Sequence, residues 1–237
     1  MEVAAETQLN FLRRIQRLLD EGRFTSTYKF GLLMTLADTA VEHTQPAEDG
    51  LDISVMDLAE RLIGYYWPQS RPFTGRGGHQ AVLKQNNSQQ AYIIYQLQSL
   101  QSEYGTLASL KQDNHRWIRI RNRTARHLLK YPIRHIHETG TDEVFLFKRA
   151  DDPYQLLMPT ETVYSLRSLY QPIQMMIESA WIRWIKTQAH NREFLGETAD
   201  LEGFLFGSER SALHRIRSGL HDLQTGDCFF CRKTINR

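Results

Sequence analysis

Apolar residues recur at intervals of three and four along most of this 237-residue chain, and this periodicity constrains the fold more than any other feature. A first apolar stripe runs through residues 9–19 and ends at Gly22. The segment from Tyr28 to about Val41 is apolar over a wide face, so we expect it at the centre of the core. The longest pattern begins at Thr160, and Pro172 is expected to kink or interrupt it. The sequence therefore predicts a mainly α-helical fold.

One segment has the pattern of a β-hairpin instead. Residues 143–148 give the clearest strand signal in the chain, and residues 155–158 would pair with them across the turn Asp151-Asp152-Pro153. We therefore predict a helical domain over residues 1–207 with one small hairpin near 143–158. Residues 208–237 are predicted to form a separate C-terminal segment.

Composition and the start of the chain narrow the class of protein. Hydrophobic residues make up 41% and charged residues 24%, which is ordinary for a soluble globular protein. No apolar run approaches the ~20 residues of a membrane span. The acidic start, Met1 to Glu6, lacks the basic and apolar regions of a secretory signal. With only two cysteines as well, the sequence predicts a cytoplasmic protein with no membrane partner.

A strongly basic segment interrupts this nearly neutral chain, whose formal net charge is +2. Between Lys111 and His137 the one acidic residue is Asp113. Residues 117–123 alternate like a strand, but apolar positions from Ile120 to Tyr131 recur at helical spacing, so we favour a helix that ends before Pro132. The basic residues of the segment are Lys111, Arg116, Arg119, Arg121, Arg123, Arg126, Lys130 and Arg134.

Two interpretations of the basic segment stay open. In the first, its cations lie on a solvated face and pair with acids elsewhere in the fold. In the second, they contact DNA phosphates, because dense positive charge without interleaved acids suits a polyanion. Trp117 is expected in the core rather than as a platform for bases. The predicted contacts with the DNA backbone are Arg116, Arg119, Arg121, Arg123, Arg126 and Lys130.

The two cysteines, Cys228 and Cys231, form a Cys-x-x-Cys pattern after Gly226. A tight turn can bring both thiolates to one metal ion, and structural zinc takes four ligands. The pair is therefore predicted as the first half of a zinc knuckle, and a helix from Ser208 to Leu223 is predicted to lead into it. The other half is expected further along, so we interpret the chain as the front part of a longer protein.

The residues of metal-binding type have other interpretations. A thiol redox pair would place the cysteines at a helix N-terminus within a βαβ pattern, which this sequence lacks, and inert surface cysteines are the remaining alternative. His127, His135 and His137 lie in the basic segment, and the last two would share one face of a strand. The spacing places no further ligand beside them, so they are not predicted to bind metal.

Two regions resemble a known nuclease family. The run Leu201–Gly207, a helix, and then Leu223–Cys231 resemble the beginning of the nuclease module of HNH endonucleases. In those proteins an aromatic Cys-x-x-Cys turn precedes the first catalytic histidine and, later, a second Cys-x-x-Cys. Residues 26–30 and 65–69 are similar to the helical N-terminal region of one bacterial subgroup of that family.

The resemblance implies hydrolysis of a DNA phosphodiester bond, with a histidine as general base and a divalent ion such as Mg²⁺ at the phosphate. It also implies a structural zinc ion in the ββα module of the full-length protein, for which Cys228 and Cys231 carry over. No histidine follows Cys231. No catalytic residue is therefore assigned, and this fragment is expected to bind neither ion and to cut no DNA. The alternative is a non-catalytic helical module that binds nucleic acid or a protein partner.

Overall fold

The computed structural model of the protein describes residues 5–22, 24–43, 50–137, 145–149, 151–195 and 201–207. The chain divides into two compact units, Met1–Ala199 and Asp200–Arg237. The boundary thus follows residue 199, whereas the sequence predicted it after residue 207.

The described residues fold mainly into α-helices, which confirms the predicted fold class. In the first unit these are α1 (Ala5–Glu21), α2 (Tyr28–Glu42), α3 (Val55–Gln69), α4 (Tyr92–Tyr104), α5 (Leu107–Gln112), α6 (Asn114–Lys130), α7 (Pro132–His135), α8 (Thr160–Ser168), α9 (Tyr170–Thr187) and α10 (Ala189–Leu195). In the second unit, Leu201–Phe206 form α11.

Among the residues that the structure describes, five short strands form two antiparallel sheets. They are β1 (Leu51–Ser54), β2 (Phe73–Thr74), β3 (Gln80–Ala81), β4 (Lys148–Arg149) and β5 (Gln155–Met158). In the three-stranded sheet β5 is central, with Leu51 opposite Met158 on one side and Lys148 opposite Leu157 on the other. The predicted hairpin therefore exists as β4–β5, and β1 adds a strand that the sequence did not predict. The second sheet pairs β2 with β3.

Helix α2 lies at the centre of the core, as predicted. It packs against α3, α8 and α9, and most of its side chains are buried. At Gly31 the approach to α3 is close, because a Cβ there would lie 2.5 Å from Leu62 Cδ1. At the start of α2, the buried Thr27 hydroxyl is 2.7 Å from the Tyr66 hydroxyl and donates to Gln85 Oε1. These three buried side chains therefore satisfy one another, which offsets the cost of their desolvation.

Helix α6 lies along α3 with its apolar side inward. Trp117, Ile120 and Leu128 are buried on that side. Their burial stabilises the fold by roughly 1.5–3 kcal/mol for each large side chain. This packing fixes which way every other residue of α6 faces, and so positions the basic side chains.

The strand predicted from residue 143 is shorter than expected. Its residues Phe145, Leu146 and Phe147 lie outside any strand and are all buried, and β4 begins only at Lys148. A strand at the edge of a small sheet would expose alternate side chains, whereas these three all lie in the core.

The long helix predicted from Thr160 is two helices, α8 and α9, which meet at Leu169. Pro172 therefore lies in the first turn of α9, where the missing N–H breaks no intrahelical hydrogen bond. Among the described residues, every helix is too short or too polar to cross a membrane.

Candidate nucleic-acid interface

The one acid of the basic segment begins α6. Asp113 Oδ1 accepts a hydrogen bond from the Arg116 backbone N–H at 3.0 Å, so the carboxylate caps the helix. Asp113 Oδ2 accepts a second bond from the Tyr104 hydroxyl at 2.6 Å. Together these bonds, the one from Tyr104 foremost, hold the pKa of Asp113 below its ordinary value. The carboxylate in turn raises the pKa of Tyr104 to about 12. Asp113 is thus held at the N-terminal end of α6, and every charged residue within 114–130 is basic.

Four of the predicted contacts lie on the outward side of α6. At 3.6 residues per turn, their Cα positions fall within an arc of about 80°, and first and last are about 21 Å apart along the axis. This length matches the rise of about six base pairs of B-DNA. All four side chains are exposed, and we call this set the α6 basic face: Arg116, Arg119, Arg126 and Lys130.

The α6 basic face is little neutralised by neighbouring acids. Arg116 Nη2 lies 3.7 Å from Glu103 Oε1, and both side chains are more than two-fifths exposed. A pair in such contact with water contributes little and leaves the arginine able to exchange partners. Among the described residues, Arg119, Arg126 and Lys130 form no ion pair. The face therefore presents at least three uncompensated cations to solvent.

Arg121 does not belong to this face. It points toward α3, where its Nη1 lies 3.9 Å from Glu60 Oε2, while Lys111 Nζ lies 2.6 Å from Oε1 of the same carboxylate. Arg123 is half-buried and donates to Gln96 Oε1 at 2.8 Å. These two arginines follow the first interpretation, in which basic residues pair within the fold. In the structure, the arginines of this one basic segment therefore divide into a group that faces outward and a group that pairs within the fold.

Trp117 lies in the core, as predicted. Its side chain is only 7% exposed, and the ammonium of Lys111 lies 5.0 Å from the ring centroid. The ring is thus buried within the fold and is not accessible to a nucleic-acid base.

Aromatic rings surround the C-terminal end of α6. The His127 ring lies 4.4 Å from the Tyr28 ring, 4.9 Å from Tyr131 and 5.6 Å from Tyr92. Burial, with a smaller contribution from the Lys130 charge, lowers the pKa of His127 to about 4, so this ring is neutral near pH 7. Tyr131 is 45% exposed beside this cluster. Helical spacing predicted Tyr131 only as an apolar position of the helix. The signal that was missed is Lys130-Tyr131-Pro132, which places an aromatic ring where a basic helix must end.

His135 and His137 lie beyond the end of α6. His135 ends α7 and His137 lies in the following turn, so they do not share a strand face as the sequence suggested. His137 Nε2 accepts the Leu146 backbone N–H at 3.2 Å, and its ring contacts Phe147. In the part of the chain that the structure describes, no group of three metal-binding side chains occurs. Cys228, Cys231 and the predicted helix Ser208–Leu223 lie outside the described residues.

A comparison of the chain with known families shows which domain contains the candidate interface. The model of a family described as a domain of unknown function (DUF8808) matches residues 8–202. The chain belongs to this family. No curated protein and no solved structure matches the chain significantly. The DUF8808 match includes all of α6 and ends before the Cys-x-x-Cys pair, so the α6 basic face is a feature of the DUF8808 domain of this protein.

Proposed function

We propose that the DUF8808 domain of this chain binds DNA through the α6 basic face and serves as the DNA-holding domain of an HNH-type endonuclease in the cytoplasm. The observation that carries the proposal is the outward array of Arg116, Arg119, Arg126 and Lys130, with its acid confined to the helix cap. Such an array fits the regular negative charge of a phosphate backbone. It reads no base edges, so the contact would position the protein without selecting a sequence.

Electrostatics then sets the expected behaviour. Each cation that neutralises a phosphate releases condensed counterions, so affinity falls as salt rises. Four such contacts correspond to a slope of about −3.6 in a plot of log K against log salt for duplex DNA. Helix α6 is rigid because Trp117, Ile120 and Leu128 anchor it, so the cations are held in place before DNA arrives.

The nuclease part of the proposal rests on the resemblance over residues 201–231 and is separate from the interface. Cys228 and Cys231 would supply two of the four ligands of a structural zinc ion. The hydrolysis itself would use a histidine base and a divalent ion of the HNH module. The DUF8808 domain would contribute by holding the duplex, not by acting on the scissile bond.

The direct test reverses two charges at the centre of the face. In Arg119→Glu/Arg126→Glu, two phosphate contacts become repulsive, so we expect binding of a 20-base-pair duplex to weaken at least tenfold at moderate salt. The salt slope should also become shallower by about two. Fluorescence anisotropy titrations at several salt concentrations measure both quantities.

Two matched variants control for net charge and for helix integrity. Arg13→Glu/Arg17→Glu makes the same charge change on the exposed side of α1 and should cost far less affinity. Arg121→Gln changes the packed arginine of α6 and should keep the wild-type salt slope. Equal losses in the α1 and α6 double variants would refute the proposed interface.

The alternative is a non-catalytic helical module that binds nucleic acid or a protein partner. Both functions use the same domain, but they predict different sequences after Arg237. An HNH protein would continue into an Asp-His pair within roughly ten to twenty residues and later into another Cys-x-x-Cys. Sequencing the rest of the open reading frame separates the two functions.

A further inference from the structure

A cavity of about 260 Å³ lies beside the C-terminal end of the α6 basic face. Its walls include the rings of Tyr28 and Tyr131, the apolar Pro132, and polar groups of Ser26, Lys29 and His135. The volume lies below the usual range for drug-sized ligands, about 300–1,000 Å³, so the cavity suits a single ring system.

The lining combines flat apolar surface with hydrogen-bonding groups and one buried cation. Lys29 is only 8% exposed, although it carries a charge. Its ammonium lies 5.6 Å from the Phe24 ring centroid, and this contact orients it. A ligand that is planar, carries donors and acceptors at its edge, and is attached to negative charge would match all of these features. A nucleobase on a phosphate backbone has this chemistry.

The cavity is continuous with the proposed DNA path. Lys130, the last cation of the α6 basic face, has its Nζ 5.0 Å from the centroid of the Tyr131 ring. Tyr131 therefore lies between the phosphate-binding charges and the cavity. Its ring is 45% exposed, and the His127 ring, tilted by 48°, lies 4.9 Å away. A strand that runs along α6 would reach an aromatic face where the basic side chains end.

We propose that this cavity takes one unpaired base of a DNA strand whose phosphates lie on the α6 basic face, with Tyr131 as the stacking surface. This inference rests on the proposed function. It adds a preference for DNA with an unpaired base over fully paired DNA, which phosphate contacts alone cannot give. A fully paired duplex keeps its bases stacked inside the helix and offers none to the cavity. Base stacking on an aromatic side chain contributes about 1–3 kcal/mol by alanine substitution, so we expect a preference of about tenfold.

The experiment compares three 20-base-pair duplexes by anisotropy at one salt concentration. One contains a central bulged adenine, one an abasic bulge, and one is fully paired. We expect the wild-type chain to bind the bulged adenine about tenfold more tightly than either other duplex. Tyr131→Ala should lose this preference while its affinity for the paired duplex stays within about twofold. Tyr131→Phe should retain it, because the ring remains.

Tyr95→Ala is the matched control, since Tyr95 is 67% exposed on α4 and does not line the cavity. A preference that survives in Tyr131→Ala, or that the abasic bulge shares, overturns the inference. Loss of the preference in Tyr95→Ala overturns the assignment to the cavity. Binding of the paired duplex reports separately on the proposed function, and absence of binding to every duplex refutes both. Deoxyadenosine monophosphate that binds the wild type but not Tyr131→Ala, without any preference among duplexes, would assign the cavity to a free nucleotide instead.

Discussion

At the scale of single residues, His137 illustrates what burial does to a titratable ring. Its Nε2 accepts the Leu146 N–H, and Phe145 and Phe147 contact the ring at its edges. Burial, with a smaller contribution from the Lys29 charge, lowers the pKa of His137 to about 4. The ring is therefore held as a neutral hydrogen-bond acceptor, and His127 is neutral for the same main reason.

Because of these two histidines, we expect the free energy of unfolding to depend on pH in the acidic range. In the folded protein they titrate near pH 4, whereas in the unfolded chain they titrate near the ordinary 6.5. Between those values the unfolded chain binds more protons, so the free energy of unfolding should fall as pH falls from about 6.5 toward 4. His137→Gln keeps an acceptor for Leu146 but cannot be protonated, so this pH dependence should be weaker. Urea denaturation at pH steps measures it.

His115→Gln provides the comparison, because His115 is exposed on α6. This variant should keep the wild-type pH dependence. If His137→Gln and the wild type lose stability equally between pH 6.5 and 4, His137 does not contribute as the structure indicates.

At the scale of elements, α6 depends on its first residue. The Asp113 side chain satisfies a backbone N–H that would otherwise lack a partner, and Tyr104 fixes that side chain. We expect Asp113→Ala to lower the free energy of unfolding, because alanine cannot cap the helix. Asp113→Asn should lose less stability than Asp113→Ala, because asparagine is an equally good N-cap residue. Urea denaturation followed by circular dichroism measures the change.

Asp151→Ala removes an exposed carboxylate outside any helix and serves as the control, with no resolvable change expected. The cap can also be tested a second way. Tyr104→Phe removes the hydroxyl bond to Asp113, so NMR titration should show the pKa of Asp113 rising toward its ordinary value. An unchanged Asp113 pKa in Tyr104→Phe would show that the hydroxyl does not stabilise the carboxylate.

Helix α6 also shows what sequence could and could not predict. The apolar spacing around Ile120 and Leu128 predicted the helix and its end before Pro132, because helix period and proline chemistry are local properties. Residues two apart on a helix point about 200° apart, so helix period by itself separates Arg121 from Arg119. The ion pair of Arg121 with Glu60 was not predicted, because Glu60 lies on α3 and is brought to α6 only by tertiary packing. The cavity was missed for the same reason, since Tyr28 and Tyr131 are distant in sequence.

At the scale of the whole molecule, Asn191 joins distant parts of the first unit. Its Oδ1 accepts the Lys84 N–H at 2.8 Å, and its Nδ2 donates to the carbonyls of Lys84 and Ile185. Residues 189–195 form α10, a helix too short to give a clear periodic pattern in the sequence, and Asn191 is 2% exposed.

Removal of the Asn191 side chain should therefore lower the free energy of unfolding more than an average substitution of a polar residue does. Asn191→Ala leaves the Lys84 N–H and carbonyl without partners, while the Ile185 carbonyl keeps the Gln188 N–H, so we expect a loss of about 2–4 kcal/mol in the free energy of unfolding. Asn122→Ala, at an exposed position on α6, should change it by less than about 0.5 kcal/mol. Urea denaturation of both variants tests the contrast, and equal midpoints would contradict the role assigned to Asn191.

The central position of α2 has a consequence for how the protein is made. The helix packs against α8 and α9, and Trp184 of α9 donates to the carbonyl of Phe24, 160 residues away. A ribosome adds about 5–20 residues per second, so α2 emerges roughly 7–30 s before its last packing partner. During that interval the part of its buried face that α8 and α9 cover has no native partner. The nascent chain must therefore hold its most apolar helix in a chaperone-bound or loosely collapsed state until α9 has been synthesised.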